Sequence, residues 1–275
     1  MWWLMQTFGF IVQLLLLPFT RLNPWAGLLF VSLVTSLFML FIYKKISNQE
    51  KIKKTKNLIK AHLLEMRLFQ HDYRVLLQTQ KNLVLTNLRY LGLNLKPLLV
   101  MIIPLFLLLA QLNLWFGYRS LQPAETFLLK VRLNSSVAVD RASLDLELPS
   151  GLSVETPVLR IVDENEADWR IRVNGKVEAP ILILINGEKY QKEIVAGYKQ
   201  LKKLSPIRPG KNLWLQLLYP GEKPLPARAD AEKIEITWPE YRLSFLGIRW
   251  HWVVAYFLLS IILALALKRF LRVEI

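Results

Sequence analysis

The chain has 275 residues, 53% of them hydrophobic, with 36 Lys or Arg against 21 Asp or Glu, no Cys and a formal net charge of +15. The lack of cysteine excludes disulfides, thiolate metal sites and a cysteine nucleophile. The hydrophobic excess lies in segments of membrane length, so the composition is that of a membrane protein, and the charge reads as a topology signal with no specific nucleic-acid partner.

The first segment, within residues 1–21, is the apolar run MWWLMQTFGFIVQLLLLPF. It has neither the charged start nor the small-residue cleavage site of a signal peptide, so it is expected to stay in the mature chain. Gln6, Gln13 and Thr20 fall along one helical face. Either the helix lies in, or is partly inserted at, the outer interface with that seam toward water, or it spans the bilayer with the seam toward its neighbours. The interfacial reading is taken forward and the spanning one stays open.

Residues 22–43 are long enough to cross a bilayer as a helix. Ser32, Thr35 and Ser36 fall at i, i+3 and i+4 and so share one face. Small polar residues let membrane helices approach closely. The same face is also a candidate for the mildly polar wall of a groove. Gln111, in the next apolar segment, is assigned to that groove with them.

From Tyr43 to Gly92 there is no Gly or Pro between the two named residues. The loop 44–96 holds twelve Lys or Arg against three acidic residues, whereas the later stretch from Tyr118 to Arg249 holds twenty against seventeen. The basic loop is therefore placed in the cytoplasm. A single helix over it would be roughly 70 Å long at about 1.5 Å per residue, so the segment is expected to fold back as a helical hairpin. The reversal is placed at Phe69–Tyr73, where His71-Asp72 interrupts an apolar stripe formed by Ile52, Ile59, Leu63, Met66, Phe69, Tyr73, Leu76, Leu77, Leu83 and Val84. Lys51, Lys53, Lys54, Lys56 and Lys60 form a basic face, read first as solvated and able to meet anionic lipid or ribosomal RNA.

Residues 97–118 form the second membrane helix, 119–249 an extracytoplasmic β domain, 250–267 a third membrane helix, and 268–275 a basic cytoplasmic tail. In the β domain Phe127, Leu129, Val131 and Leu133 alternate with polar or outward positions, as do Leu144, Leu146 and Leu148, and Trp169, Ile171 and Val173. Asn174-Gly175 and Asn186-Gly187 read as hairpin turns. Short alternating strands at this spacing predict an immunoglobulin-like sandwich. Ser205–Pro226, with five prolines, reads as an extended connection, and Ile234, Ile236 and Trp238 as the last strand. Asp163, Glu164, Glu166 and Asp168 read as a solvated acidic loop, and His251 as an interfacial anchor between Trp250 and Trp252. The fold class predicted is an α-helical polytopic membrane protein with a cytoplasmic helical hairpin and an extracytoplasmic all-β sandwich. Its location is the plasma (inner) membrane, with the C-terminus cytoplasmic.

No phosphate loop, dinucleotide fingerprint, zinc-protease motif or nucleophile elbow is present in the sequence. No catalytic residue, metal ligand or cofactor is assigned, and the protein is not expected to be an enzyme. The membrane segments hold no buried acid or base, which weighs against ion-coupled transport.

Over residues 1–120, and most closely in Asn94–Trp115 (NLKPLLVMIIPLFLLLAQLNLW, with Pro97, Leu98, Leu99, Met101, Pro104 and Phe106), the chain resembles the YidC/Oxa/Alb superfamily of membrane insertases. The helix count is that of the reduced, three-helix members. The resemblance implies an outer interfacial helix, a groove, a cytoplasmic hairpin and partners among nascent membrane proteins, the ribosome or the translocon. The chain departs from the family in two ways. No arginine lies within 22–43, Arg21 standing at its edge, and a β domain is inserted before the last helix. The function expected is non-enzymatic assistance to the insertion or assembly of nascent membrane segments. The alternative is a membrane-anchored scaffold whose β domain binds an unknown external partner.

Overall fold

The computed structural model describes residues 2–198, 201–245, 247–271 and 273–274, with side chains from residue 5 onward. Arg272, counted in the basic tail, lies outside the described residues. The chain divides into two compact units: residues 1–28 with 107–254, and residues 29–106 with 255–275.

Among the described residues there are six α-helices. They are α1 (Trp2–Leu16), α2 (Pro24–Ile46), α3 (Gln49–Leu68), α4 (Tyr73–Phe116), α5 (Leu213–Leu218) and α6 (Trp252–Leu271). Of these, α2, α4 and α6 are long and apolar enough to cross a membrane. The polar run after residue 44 does not stay straight. Asn48 caps α3 by accepting the Lys51 N–H, and the helix ends at Phe69. Asp72 then starts α4 by accepting the N–H groups of Arg74 and Val75 at 3.0 and 3.2 Å. The reversal, which contains no Gly or Pro, thus lies between the Phe69 C-cap of α3 and the Asp72 N-cap of α4. Labels at Ser47 and Asn87 are therefore expected less than about 40 Å apart, against roughly 60 Å for one unbroken helix. A spin-label distance measurement decides between them.

The polar and apolar parts of α4 form one helix of 44 residues, with Pro97 and Pro104 inside it. Each proline removes one backbone donor without ending the helix. The hairpin's apolar stripe divides: Ile52 is fully buried, while Leu63, Phe69, Tyr73, Leu77 and Val84 are exposed. At the base of the hairpin Ile52 joins Leu40, Tyr43 and Val273 in a small core, with Tyr90, Leu93, Met101 and Leu271 packed on it.

The β domain consists of two antiparallel sheets. The first pairs β3 (Leu152–Val154) and β4 (Leu159–Ile161) with β5 (Glu166–Val173), and continues through β1 (Thr126–Leu133) and β9 (Ala231–Ile236) to β8 (Ile207–Pro209). The second is β2 (Leu144–Glu147), β6 (Ile181–Ile185) and β7 (Glu188–Lys192). The inward residues of both, among them Leu129, Trp169, Ile171, Ile183 and Ile234, share one core. The period-two alternation puts these residues inside and leaves Arg170 and Arg172 out.

Asn186-Gly187 closes the β6–β7 hairpin with both residues at positive φ, 50° and 87°, the geometry that Asn-Gly favours. Asn174-Gly175 does not make a hairpin. Both N–H groups donate to the Gly151 carbonyl, and the chain leaves the first sheet there to reach the second. Two further expectations are corrected. Within Ser205–Pro226 the chain forms β8 and α5, because Asn212 caps the apolar run LWLQLL by accepting from Trp214 and Leu215. Glu166 and Asp168 are not in a solvated loop. They lie on β5, nearly buried, with Lys130 Nζ 3.2 and 3.7 Å away. After β9, Arg242–Phe245 and Ile248–His251 form a further hairpin, β10–β11, that turns at Gly247 with φ +79°.

Tyr190 sits in the sandwich core and donates to the Glu188 carboxylate at 2.5 Å while accepting the Asp230 N–H at 3.1 Å. Burial, then the Glu188 carboxylate, push its phenol pKa up to about 12. A group raised in the folded state contributes stability that is intact below its unfolded pKa of about 10 and is lost as pH rises beyond it. The melting temperature is expected to fall between that pH and about 12, and Tyr190→Phe should flatten this part of the profile. An unchanged slope in the variant would contradict the assignment.

Candidate functional site

In the unit of residues 29–106 and 255–275, the three apolar helices enclose a cleft of about 580 Å³. Its floor is α2, where Thr35, Ser36, Leu40 and Tyr43 are all buried. Its rims are α4 and α6, where Leu91, Leu98, Ile102 and Ile261 are exposed while lining the opening. A buried floor between exposed apolar rims makes a cleft that opens sideways, toward whatever surrounds the helices. Among the described residues, no Asp, Glu, Lys or Arg lines it.

The floor is weakly polar, and its hydroxyls are spent unequally. Thr35 Oγ1 donates to the Val31 carbonyl at 2.7 Å. Ser36 Oγ lies 2.7 Å from the Ser32 carbonyl and 3.0 Å from the Ser260 carbonyl, which ties α2 to α6. Such back-bonding satisfies a hydroxyl within an apolar helix. By contrast, the buried hydroxyl of Ser32 makes no hydrogen bond, and those of Tyr256 and Ser260 face each other and Thr35 without a well-aligned hydrogen bond between them. Tyr256 and Ser260 line the cleft itself. A buried polar group without a partner costs about 1–3 kcal/mol and calls for an explanation. Here two of the three hydroxyls border a space large enough to admit a polar guest. At another point on the cleft wall Tyr43 donates to the Asn94 side-chain carbonyl, and Asn94 Nδ2 donates to the Tyr90 carbonyl at 2.7 Å.

Of the groove candidates, Thr35 and Ser36 line this cleft; Ser32 and Gln111 do not. Ser32 is fully buried. Gln111 belongs to the other unit, where its Nε2 donates to the Met5 carbonyl at 3.0 Å and its amide fills the space beside Gly9. Tyr43, Asn94, Tyr256 and Ser260 were not anticipated. The i, i+4 spacing of Tyr256 and Ser260, on a helix with few other polar side chains, is the signal that marks them.

In its own unit, α1 is tied to α4 where the Met5 carbonyl accepts from Gln111, and Leu16 lies beside Gly27.

The basic face also divides. Lys51, Lys53, Lys54 and Lys60 are exposed. Lys54 pairs with Glu50 at 2.7 Å, one turn apart. Lys53 and Lys56 join Lys268 and Arg269 around a recess of about 610 Å³ that also contains Glu50 and Glu274. The tail is held there by Lys56 on Glu274 at 3.2 Å, by the Glu274 N–H on Gln49 Oε1 at 2.7 Å, and by Lys44 Nζ on the Leu271 carbonyl at 2.8 Å.

The β domain carries two polar features. Lys192 is fully buried and donates to the Glu222 carboxylate and to the Ser205 carbonyl, the latter at 2.7 Å. Glu222 also accepts the Glu193 N–H at 3.0 Å. Burial lowers the Lys192 pKa, and the Glu222 charge opposes that shift. The second feature is a recess of about 430 Å³ lined by Tyr118, Arg119, Glu125, Tyr198, Lys202 and Tyr241. There Arg119 grips Glu125 through two bonds of 2.8 and 2.7 Å, and Lys202 Nζ stands 4.7 Å from the Tyr198 ring centre. Among the described residues, no group of three or more His, Asp or Glu is placed to hold a metal ion.

Comparison with protein-family models, curated proteins and solved structures returns no match for this chain.

Proposed function

We propose that the protein is a non-enzymatic membrane insertase or assembly factor, related in plan to the reduced YidC/Oxa/Alb proteins, that receives apolar segments of nascent membrane proteins in the cleft of α2, α4 and α6. The observation that carries the reading is the cleft's combination of exposed apolar rims with a cluster of hydroxyls on its floor and wall, Thr35, Ser36, Tyr256 and Ser260. An entering helix would bury its apolar side chains against the rims. A backbone or side-chain polar group passing through hydrocarbon costs several kcal/mol when unsatisfied, and the floor hydroxyls would lower that cost.

On this reading the α3–α4 hairpin and the C-terminal tail are cytoplasmic, following the excess of basic residues there. The exposed Phe69, Tyr73 and Leu77 near the reversal would meet the incoming chain or the ribosome. The basic face would meet anionic lipid. The shorter apolar α1 would be the partly inserted outer helix. The β domain, taken as an immunoglobulin-like sandwich, would lie outside the plasma membrane. With no charged group in the cleft, the work falls on hydrogen bonding and shape, unlike relatives that carry a groove arginine. The recess around Tyr118 and Tyr198 is the observation behind the second reading, in which the β domain binds an external partner and the helices anchor it.

A photo-crosslinker placed at Ser36 or at Met101 should capture ribosome-bound nascent membrane segments. One at Gln111, which is committed to Met5, should not. Equal capture at all three positions, or none at any, would favour the anchor.

A further inference from the structure

We propose that the β10–β11 hairpin is an amphipathic ribbon lying flat in the lipid interface, on the side of the bilayer that carries the β domain. The inference rests on the membrane reading of α2 and α6 given above, and concerns a part of the chain that contributes no residue to the cleft.

The register pairs Arg242 with His251, Leu243 with Trp250, Ser244 with Arg249 and Phe245 with Ile248. Side chains alternate across a strand, so Leu243, Phe245, Ile248 and Trp250 share one face while the two arginines stand on the other. The apolar face is only partly covered. Leu243 is 1% exposed, but Phe245 and Ile248 at the turn are 54% and 58% exposed. A turn facing water ordinarily carries polar residues at such positions.

The two ends of the ribbon fix its attitude. At the turn, Trp25 Nε1 donates to the Ser244 carbonyl at 2.9 Å, and the Trp25 and Phe245 rings are 5.3 Å apart. Trp25 is in the first turn of α2. At the open end, β11 finishes at His251 and α6 begins at the next residue, Trp252. Both ends of the ribbon are thus tied to the starts of membrane-length helices. A ribbon standing away from the bilayer would have only its open end there. Lying flat, it puts the exposed Phe245 and Ile248 at the acyl boundary. Arg242 and Arg249, on the opposite face, are then within reach of lipid phosphates, as snorkelling arginines commonly are. The occupant of the exposed apolar face is therefore lipid, and the ribbon sets the height of the β domain on the membrane.

The chain has no cysteine, so single labels are direct. Full-length F245C and I248C would carry a nitroxide after reconstitution into phosphatidylcholine–phosphatidylglycerol vesicles. V162C, exposed at the far end of the β sheet, and I261C, exposed on α6, are the references. The expected result is an oxygen-to-nickel-complex accessibility ratio several-fold higher at 245 and 248 than at 162, approaching that at 261. Ratios at 245 and 248 equal to that at 162, with 261 in lipid, would overturn the ribbon and leave the membrane reading intact. If 261 also matches 162, both fall.

Discussion

Lys192→Met should destabilise the β domain by about 3–5 kcal/mol, the usual result of leaving a buried charge without its partner. The reason is local. Lys192 is fully buried, and its removal takes the contacting ammonium from the Glu222 carboxylate, itself 4% exposed, which keeps the Glu193 N–H. The Ser205 carbonyl also loses a donor, although Trp238 Nε1 remains 3.4 Å away. For a domain of this size the loss corresponds to a fall in melting temperature of about 10 °C or more. The control is the double variant K192M/E222Q, which removes both charges while keeping an acceptor for the Glu193 N–H. It should recover most of the loss, because a buried pair is costly to split and nearly neutral to replace. A double variant as unstable as the single one would show that Lys192 acts through packing alone. Thermal melts followed by tryptophan fluorescence of the full chain in detergent measure both.

The second large effect concerns the cleft. Ala264 lies on its α6 wall, so Ala264→Trp should project an indole into the space a client segment would use. Capture at Ser36 and Met101 should fall by most of its value, while Ala264→Ser should keep it. Overpacking typically costs about 1–3 kcal/mol, so the melt must be checked alongside. Replacing Thr35, Ser36, Tyr256 and Ser260 by apolar residues of similar size is the complementary test. Side-chain hydrogen bonds between membrane helices average only about 0.6 kcal/mol, so the fold should survive while capture of polar-flanked segments declines.

Where the sequence was legible, one short-range rule was enough. Phe127–Leu133 and Trp169–Val173 alternate because one face of each strand is buried. Asn186-Gly187 adopts positive φ because those residue types tolerate it. The reversal near Asp72 could be read from a polar interruption of an apolar stripe, since the Asp side chain supplies the N-cap. Legibility failed where an outcome depends on a distant partner. Asn174-Gly175 has the composition of a hairpin, but the Gly151 carbonyl takes both its N–H groups. The prolines around 205–226 hid α5, whose cap is a single Asn212. In the cleft, Ser32, Thr35 and Ser36 share a helical face, yet periodicity cannot say which of them reaches open space. The clustering of the Tyr256 and Ser260 hydroxyls with Thr35 emerges only once α6 is placed against α2. Gln111 has a suitable chemistry on a suitable helix, but the Met5 carbonyl has already taken its amide.

The most direct test of the central claim is reconstituted insertion. Purified protein in proteoliposomes should raise the protease-protected fraction of a newly synthesised single-span substrate above that of protein-free liposomes. The Ala264→Trp variant, reconstituted to the same level, should give no such rise. Equal protection with parent protein, with the filled-cleft variant and with empty liposomes would contradict the insertase account and leave the helices as an anchor.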